Sequence, residues 1–89
     1  MYLIRTLNSV GKSTFVKYYY SFKDKSRDEC IAQFDENYTE KAKSTRTCHA
    51  QRIFRENKNL DALEIIIHST RVDDATRSKA SQIIAHETR

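Results

Sequence analysis

The sequence contains no proline and only one glycine, Gly11, among its 89 residues. Glycine supplies the left-handed backbone angles of sharp turns, and proline stiffens loops, so long shaped loops usually need both. A chain without them is expected to consist of regular elements joined by short connections. We therefore expect no active site built on long loops, and we predict one domain over residues 1–89.

The first 23 residues predict a β-hairpin. Residues 2–7 and 13–22 are rich in β-branched and aromatic side chains, and the connection between them, residues 8–12, holds the single glycine. A lone hairpin is barely stable in water, so residues 24–89 are expected to cover it.

Strand alternation assigns the side chains of this hairpin to two faces. The face predicted to point into the core carries Val16, Tyr18, Tyr20 and Phe22. The other face would leave Phe15 and Tyr19 half exposed beside a lysine. These two aromatic residues are therefore candidates for contact with a protein partner.

Residues 24–89 predict a helical part with good N-caps at Ser26, Thr39 and Asp73. The predicted helices span 27–36, 40–57, 60–69 and 74–87. Together with the hairpin they give an α+β fold, in which an N-terminal β-hairpin packs on a small cluster of about four helices. The most apolar helix, 60–69, is placed in the middle, with Asn59 as its cap.

The net charge of +4 is unevenly distributed. Residues 1–25 carry a net charge of +4, from five bases and one acid. Residues 38–58 also carry +4, from six bases and two acids. Residues 26–37 carry −3, from one base and four acids. On the second predicted helix one side collects Lys41, Thr45, Cys48, Arg52 and Arg55, a mixture of cations and small polar groups suited to phosphate contact. The alternative is a solvated face that partly neutralises the acidic helix.

The nucleic-acid hypothesis assigns a role to each basic position. Phosphate contacts are predicted for Lys41, Arg46, Arg52 and Arg55, base contacts for Lys43 and Thr47, and an extension of the footprint for Lys12 and Lys17. Two weak helix-turn-helix interpretations accompany it: helix 27–36 followed by 40–57 as the reading helix, or helix 60–69 followed by 74–87 with Arg77 and Lys79 forward.

A phosphate-binding loop is rejected for Gly11-Lys12-Ser13-Thr14. The pattern G-x-x-x-x-G-K-[ST] requires a glycine where Thr6 stands, and it requires a helix to follow, whereas we expect a strand. The histidines and cysteines lack the short paired spacing of zinc ligands. Cys48 and His49 would point about 100° apart on a helix, so they do not form a catalytic pair. We predict no metal, no cofactor and no enzyme activity.

The sequence thus favours a small basic, non-enzymatic binding protein, a regulator that binds DNA or RNA. The alternative is a protein-binding inhibitor or adaptor, encoded by a phage or mobile element, that meets an acidic partner or a second copy of itself through Phe15 and Tyr19. No segment reaches the roughly 18–20 apolar residues of a membrane span. The two cysteines, Cys30 and Cys48, are expected as reduced thiols in the cytoplasm.

Overall fold

The computed structural model describes residues 2–88, and every regular element within this range is an α-helix. The seven helices are α1 (Leu3–Val10), α2 (Lys12–Lys17), α3 (Tyr19–Asp24), α4 (Arg27–Gln33), α5 (Glu40–Arg55), α6 (Asn59–Ile67) and α7 (Asp74–Glu87). The predicted β-hairpin, and with it the α+β class, is wrong.

Helical spacing explains why the tyrosine-rich segment forms α2 and α3 instead of a strand. Phe15, Tyr18, Tyr19 and Phe22 occupy positions i, i+3, i+4 and i+7, which share one face of a helix. All four are buried, with Phe15 at 0% and Tyr19 at 1% exposed, whereas Tyr20 is 40% exposed. The predicted half-exposure of Phe15 and Tyr19 is therefore wrong, and so is the core position of Tyr20.

Gly11 forms the junction between two helices and not the turn of a hairpin. Its φ of 94° lies in a region that residues with a side chain rarely adopt, and it lets α1 end and α2 begin within one residue. A Cβ atom at this position would also lie 3.0 Å from Nη1 of Arg46. The backbone angle thus requires the glycine, whereas the end of the Arg46 side chain can shift to relieve the contact.

The central element is α5, which packs against α1, α3, α4 and α6. Its side chains Ala50 and Ile53 are fully buried. Phe54 meets the rings of Phe15 and Tyr19, with centroid distances of 5.7 and 4.9 Å. The prediction that the apolar segment 60–69 lies in the middle is wrong, because the longer α5 reaches four other helices while α6 packs mainly on α7.

The predicted helices of the second part are present, with ends that differ by at most three residues. Ser26 caps α4 in a capping box with Glu29, and Thr39 accepts a 3.1 Å hydrogen bond from the backbone N–H of Ala42 at the start of α5. Asp73 is the N-cap residue of α7. Asn59 is not a cap: it is the first residue of α6, and its side-chain amide donates to the hydroxyl of Tyr19 at 2.9 Å.

Candidate nucleic-acid interface

One side of α5 is a continuous row of exposed side chains, which we call the α5 stripe. Its members are Lys41, Thr45, Cys48, Arg52 and Arg55. They recur at alternating steps of four and three residues, so they form a ridge on the side opposite the buried Ala50. The predicted exposure of this side of the helix is confirmed.

The cations of the α5 stripe are weakly engaged by the rest of the protein. Arg52 donates from Nε to Oε2 of Glu56 at 2.8 Å, and this ion pair lowers the pKa of the Glu56 carboxyl. The Arg52 side chain is still 50% exposed. Within residues 2–88, the side chains of Lys41 and Arg55 make no hydrogen bond and no ion pair. They extend into water and can meet an external anion without first breaking an internal contact.

The α3–α4 turn adds positive charge along one edge of the α5 stripe. Gln51 donates to the backbone carbonyl of Lys25 at 3.0 Å, and the guanidinium of Arg27 donates to the hydroxyl of Ser44. These contacts hold two further basic residues beside α5. The carboxylate of Asp28 follows immediately in the sequence.

Arg46 is directed into the structure and not to solvent. Its Nη1 donates to the carbonyl oxygen of Val10 at 2.5 Å, and its guanidinium carbon lies 4.2 Å from the centroid of the Tyr38 ring. The predicted phosphate contact is not supported by this position, since the guanidinium is engaged at the end of α1.

The predicted base-contacting residues Lys43 and Thr47 are also turned inward. Thr47 is 0% exposed, and its buried hydroxyl has no hydrogen-bond partner among the described residues. The Lys43 side chain is 18% exposed, with its ammonium 3.5 Å from Glu40. In the first helix-turn-helix interpretation these residues face bases, but α5 uses that side to pack.

The second helix-turn-helix interpretation meets the same difficulty at Arg77. Its Nη2 donates to the carbonyls of Ser69 and Val72 at 3.1 and 2.9 Å, and its Nη1 donates to Asp74 at 2.8 Å. Arg77 therefore holds the turn between α6 and α7. Lys79 is exposed on α7, with its ammonium 3.5 Å from the carbonyl of Lys17.

Lys17, expected to extend the nucleic-acid footprint, is paired with carboxylates. Its ammonium donates to Asp35 at 2.8 Å and to Glu36 at 3.0 Å, and these two carboxylates raise the pKa of Lys17. The hydroxyl of Tyr18 donates to Glu36 at 2.8 Å, which completes a polar clamp on the α4–α5 connection. The Lys17 ammonium therefore stabilises the folded structure through these ion pairs.

The Lys12 side chain contacts the C-terminal part of the protein and not α5. Its ammonium donates to the hydroxyl of Ser69 at 3.1 Å, in the α6–α7 turn. Neither Lys12 nor Lys17 contacts the α5 stripe in the described structure. The two basic stretches of the sequence therefore do not combine through these residues into one surface.

The phosphate-loop motif is followed by a helix, contrary to our expectation of a strand. Gly11 leads directly into α2, but a helix, α1, precedes it where the motif requires a strand, and Thr6 replaces the first glycine. Among residues 2–88, no group of three or more His, Cys, Asp and Glu side chains is arranged to hold a metal ion.

Sequence reasoning missed the outer face of α1, because residues 2–7 were interpreted as a strand. Tyr2, Ile4, Arg5, Asn8 and Ser9 line an open cavity of about 560 Å³ beside this helix. The missed signal is the helical spacing of the buried Leu7 and Val10 behind the half-buried Leu3, which places residues 4, 5 and 8 on the outside.

Comparison with known proteins identified no matching family model, no similar curated protein and no similar solved structure. None of the helices in the described range 2–88 is both long enough and apolar enough to cross a membrane.

Proposed function

We propose that this protein is a small non-enzymatic regulator that binds DNA or RNA, and that the α5 stripe contacts the phosphate backbone. The observation that supports this most directly is the state of Lys41 and Arg55, which are exposed and have no partner in residues 2–88. Other basic side chains, such as Lys17 and Arg46, stabilise the fold. Among the five cations of α5, Lys41 and Arg55 are the two without a partner in residues 2–88.

The spacing of the stripe limits the number of phosphate contacts. Lys41 and Arg55 are 14 residues apart, which corresponds to roughly 21 Å along the helix axis. Arg52 and Arg55 lie one turn apart, so their forked guanidinium groups can meet adjacent phosphates. Arg52 would exchange Glu56 for phosphate. With Lys25 at the edge, three or four contacts are expected.

The salt dependence of binding tests this number. For a duplex, three or four phosphate contacts give a slope of log affinity against log salt of roughly −3 to −4. The measurement is the anisotropy of a fluorescent duplex of about 20 base pairs at several salt concentrations. A flat response would contradict the proposal.

Charge reversal tests the position of the contacts. We expect Lys41→Glu/Arg55→Glu to weaken duplex binding strongly and to reduce the salt slope by about 2. The matched control is Arg71→Glu/Lys79→Glu, which makes the same change in net charge at two exposed positions outside α5. Equal losses in both variants would show that overall charge, and not the α5 stripe, determines binding.

A cytoplasmic location is part of the proposal, and the free thiols of Cys30 and Cys48 are compatible with it. The alternative function, a protein-binding inhibitor or adaptor, depended on Phe15 and Tyr19 as surface anchors. Both side chains are in the core, so nothing at those positions favours it.

A further inference from the structure

The outer face of α1 carries the two most exposed large hydrophobic side chains in residues 2–88. Tyr2 is 78% exposed and Ile4 is 60% exposed. The guanidinium of Arg5 lies 5.5 Å from the centroid of the Tyr2 ring, within cation–π distance. With Asn8 and Ser9 these side chains border the cavity of about 560 Å³. Large apolar groups left this exposed often mark a binding surface.

The charge around this face indicates an anionic ligand. The cation on this face is Arg5, whose guanidinium makes no hydrogen bond and no ion pair within residues 2–88. A surface that combines an exposed tyrosine with an arginine is typical of sites where unpaired bases stack next to a bound phosphate backbone. The side-chain amide of Asn8 adds a donor and an acceptor suited to a base edge.

A second copy of this chain does not fit the face as well. The eight residues of α1 extend over roughly 12 Å, whereas a stable dimer buries about 800 Å² on each partner. A narrow, flexible ligand matches the size better.

We infer that the ligand is a single-stranded nucleic acid, with one unpaired base stacked on Tyr2 and its phosphate backbone near Arg5. This inference rests on the proposed function and specifies it, since a base inside a duplex cannot reach an aromatic ring in this way. Phosphates on either side of the stacked nucleotide then lie along α1.

The test compares a fluorescent oligothymidylate of about 12 nucleotides with a duplex of equal length, using the full chain. We expect tighter binding of the single strand. Tyr2→Leu removes the aromatic ring and should weaken single-strand binding roughly 5- to 100-fold, whereas Tyr2→Phe keeps the ring and should bind as the native protein does. Tyr20→Leu, at an exposed tyrosine on α3, is the matched control. Circular dichroism checks that each variant is folded.

Two results would overturn the inference while leaving the proposed function standing: duplex bound as tightly as the single strand, or Tyr2→Leu binding as well as Tyr2→Phe. If neither nucleic acid binds, the proposed function fails with it. Binding of poly-glutamate that depends on Tyr2, in place of oligothymidylate, would also overturn the inference and make this face a site for an acidic protein segment.

Discussion

The guanidinium of Arg46 lies 2.5 Å from the carbonyl oxygen of Val10, the last residue of α1. A cation at this place meets the negative end of the helix dipole and a carbonyl that has no partner within the helix. The same group stacks on Tyr38 in the connection before α5. One side chain thus joins α1 and α5 to the segment between α4 and α5.

Replacing Arg46 with Met should lower the free energy of unfolding by about 2 kcal/mol. Methionine retains much of the side-chain volume but loses the charged hydrogen bond and the stacking on Tyr38. Urea denaturation followed by circular dichroism measures the change. Arg55→Met, at an exposed position, should stay within about 0.5 kcal/mol of the native protein. Equal effects of the two substitutions would show that the Val10 contact does not stabilise the fold.

Thr47→Val should raise stability by up to about 1 kcal/mol. The Thr47 hydroxyl is buried without a hydrogen-bond partner among the described residues, and valine has nearly the same shape without the cost of removing that group from water. The thermal midpoint of unfolding is the measurement. Thr45→Val, on the exposed stripe, should change it little. A clear loss of stability in Thr47→Val would mean that the hydroxyl has a partner after all.

Phe15→Ala should be far more damaging than Tyr20→Ala. Phe15 is fully buried and contacts the rings of Tyr19 and Phe54, so its removal leaves a cavity that costs about 3–5 kcal/mol. Tyr20 is 40% exposed and should cost about 1 kcal/mol. Chemical denaturation of both variants decides the matter. If this segment were a strand, Tyr20→Ala would cost more stability than Phe15→Ala.

Glu87 makes stability dependent on pH in the acid range. Lys23 donates to both of its carboxylate oxygens at 2.8 and 2.9 Å, and Tyr19 donates to one at 2.9 Å. These contacts hold the pKa of the Glu87 carboxyl below its ordinary value, and the hydrogen bonds from Lys23 have the largest effect. A carboxyl with a lowered pKa in the folded state stabilises fully above its ordinary pKa of about 4.3 and loses this contribution as pH falls through the folded value.

The thermal midpoint should therefore fall as pH decreases from about 5 to about 3. Glu87→Gln should lower the midpoint at neutral pH and remove part of this decrease. Lys23→Met should have a similar effect, and the double variant should add little to either. Asp35 and Glu36 act in the same direction. Lys17 lowers the pKa of the Asp35 carboxyl, and hydrogen bonds from Tyr18 and Lys17 lower the pKa of the Glu36 carboxyl against the effect of its burial. If the thermal midpoint of Glu87→Gln fell with decreasing pH as steeply as that of the native protein, this role of Glu87 would be contradicted.

The sequence predicted the later helices well and the first 23 residues badly, for a physical reason. Ser26 and Thr39 mark helix starts through hydrogen bonds to residues three positions ahead, which are local and visible in the sequence. In the first segment the β-propensity of Val and Tyr competed with the helical spacing of Phe15, Tyr18, Tyr19 and Phe22. Burial against α5 and α4 decided for the helix, since propensity is a weak term beside packing.

The sequence by itself determined the positions of the later helices, the caps Ser26 and Thr39, and the row of exposed cations on α5, because each depends on local spacing along one helix. Only the tertiary structure decided which cations remain free. Arg46 and Lys17 find partners 36 and 18 residues away, at Val10 and Asp35. Charge is a property of composition, but its availability to a ligand depends on contacts between distant segments, which form only when the helices pack.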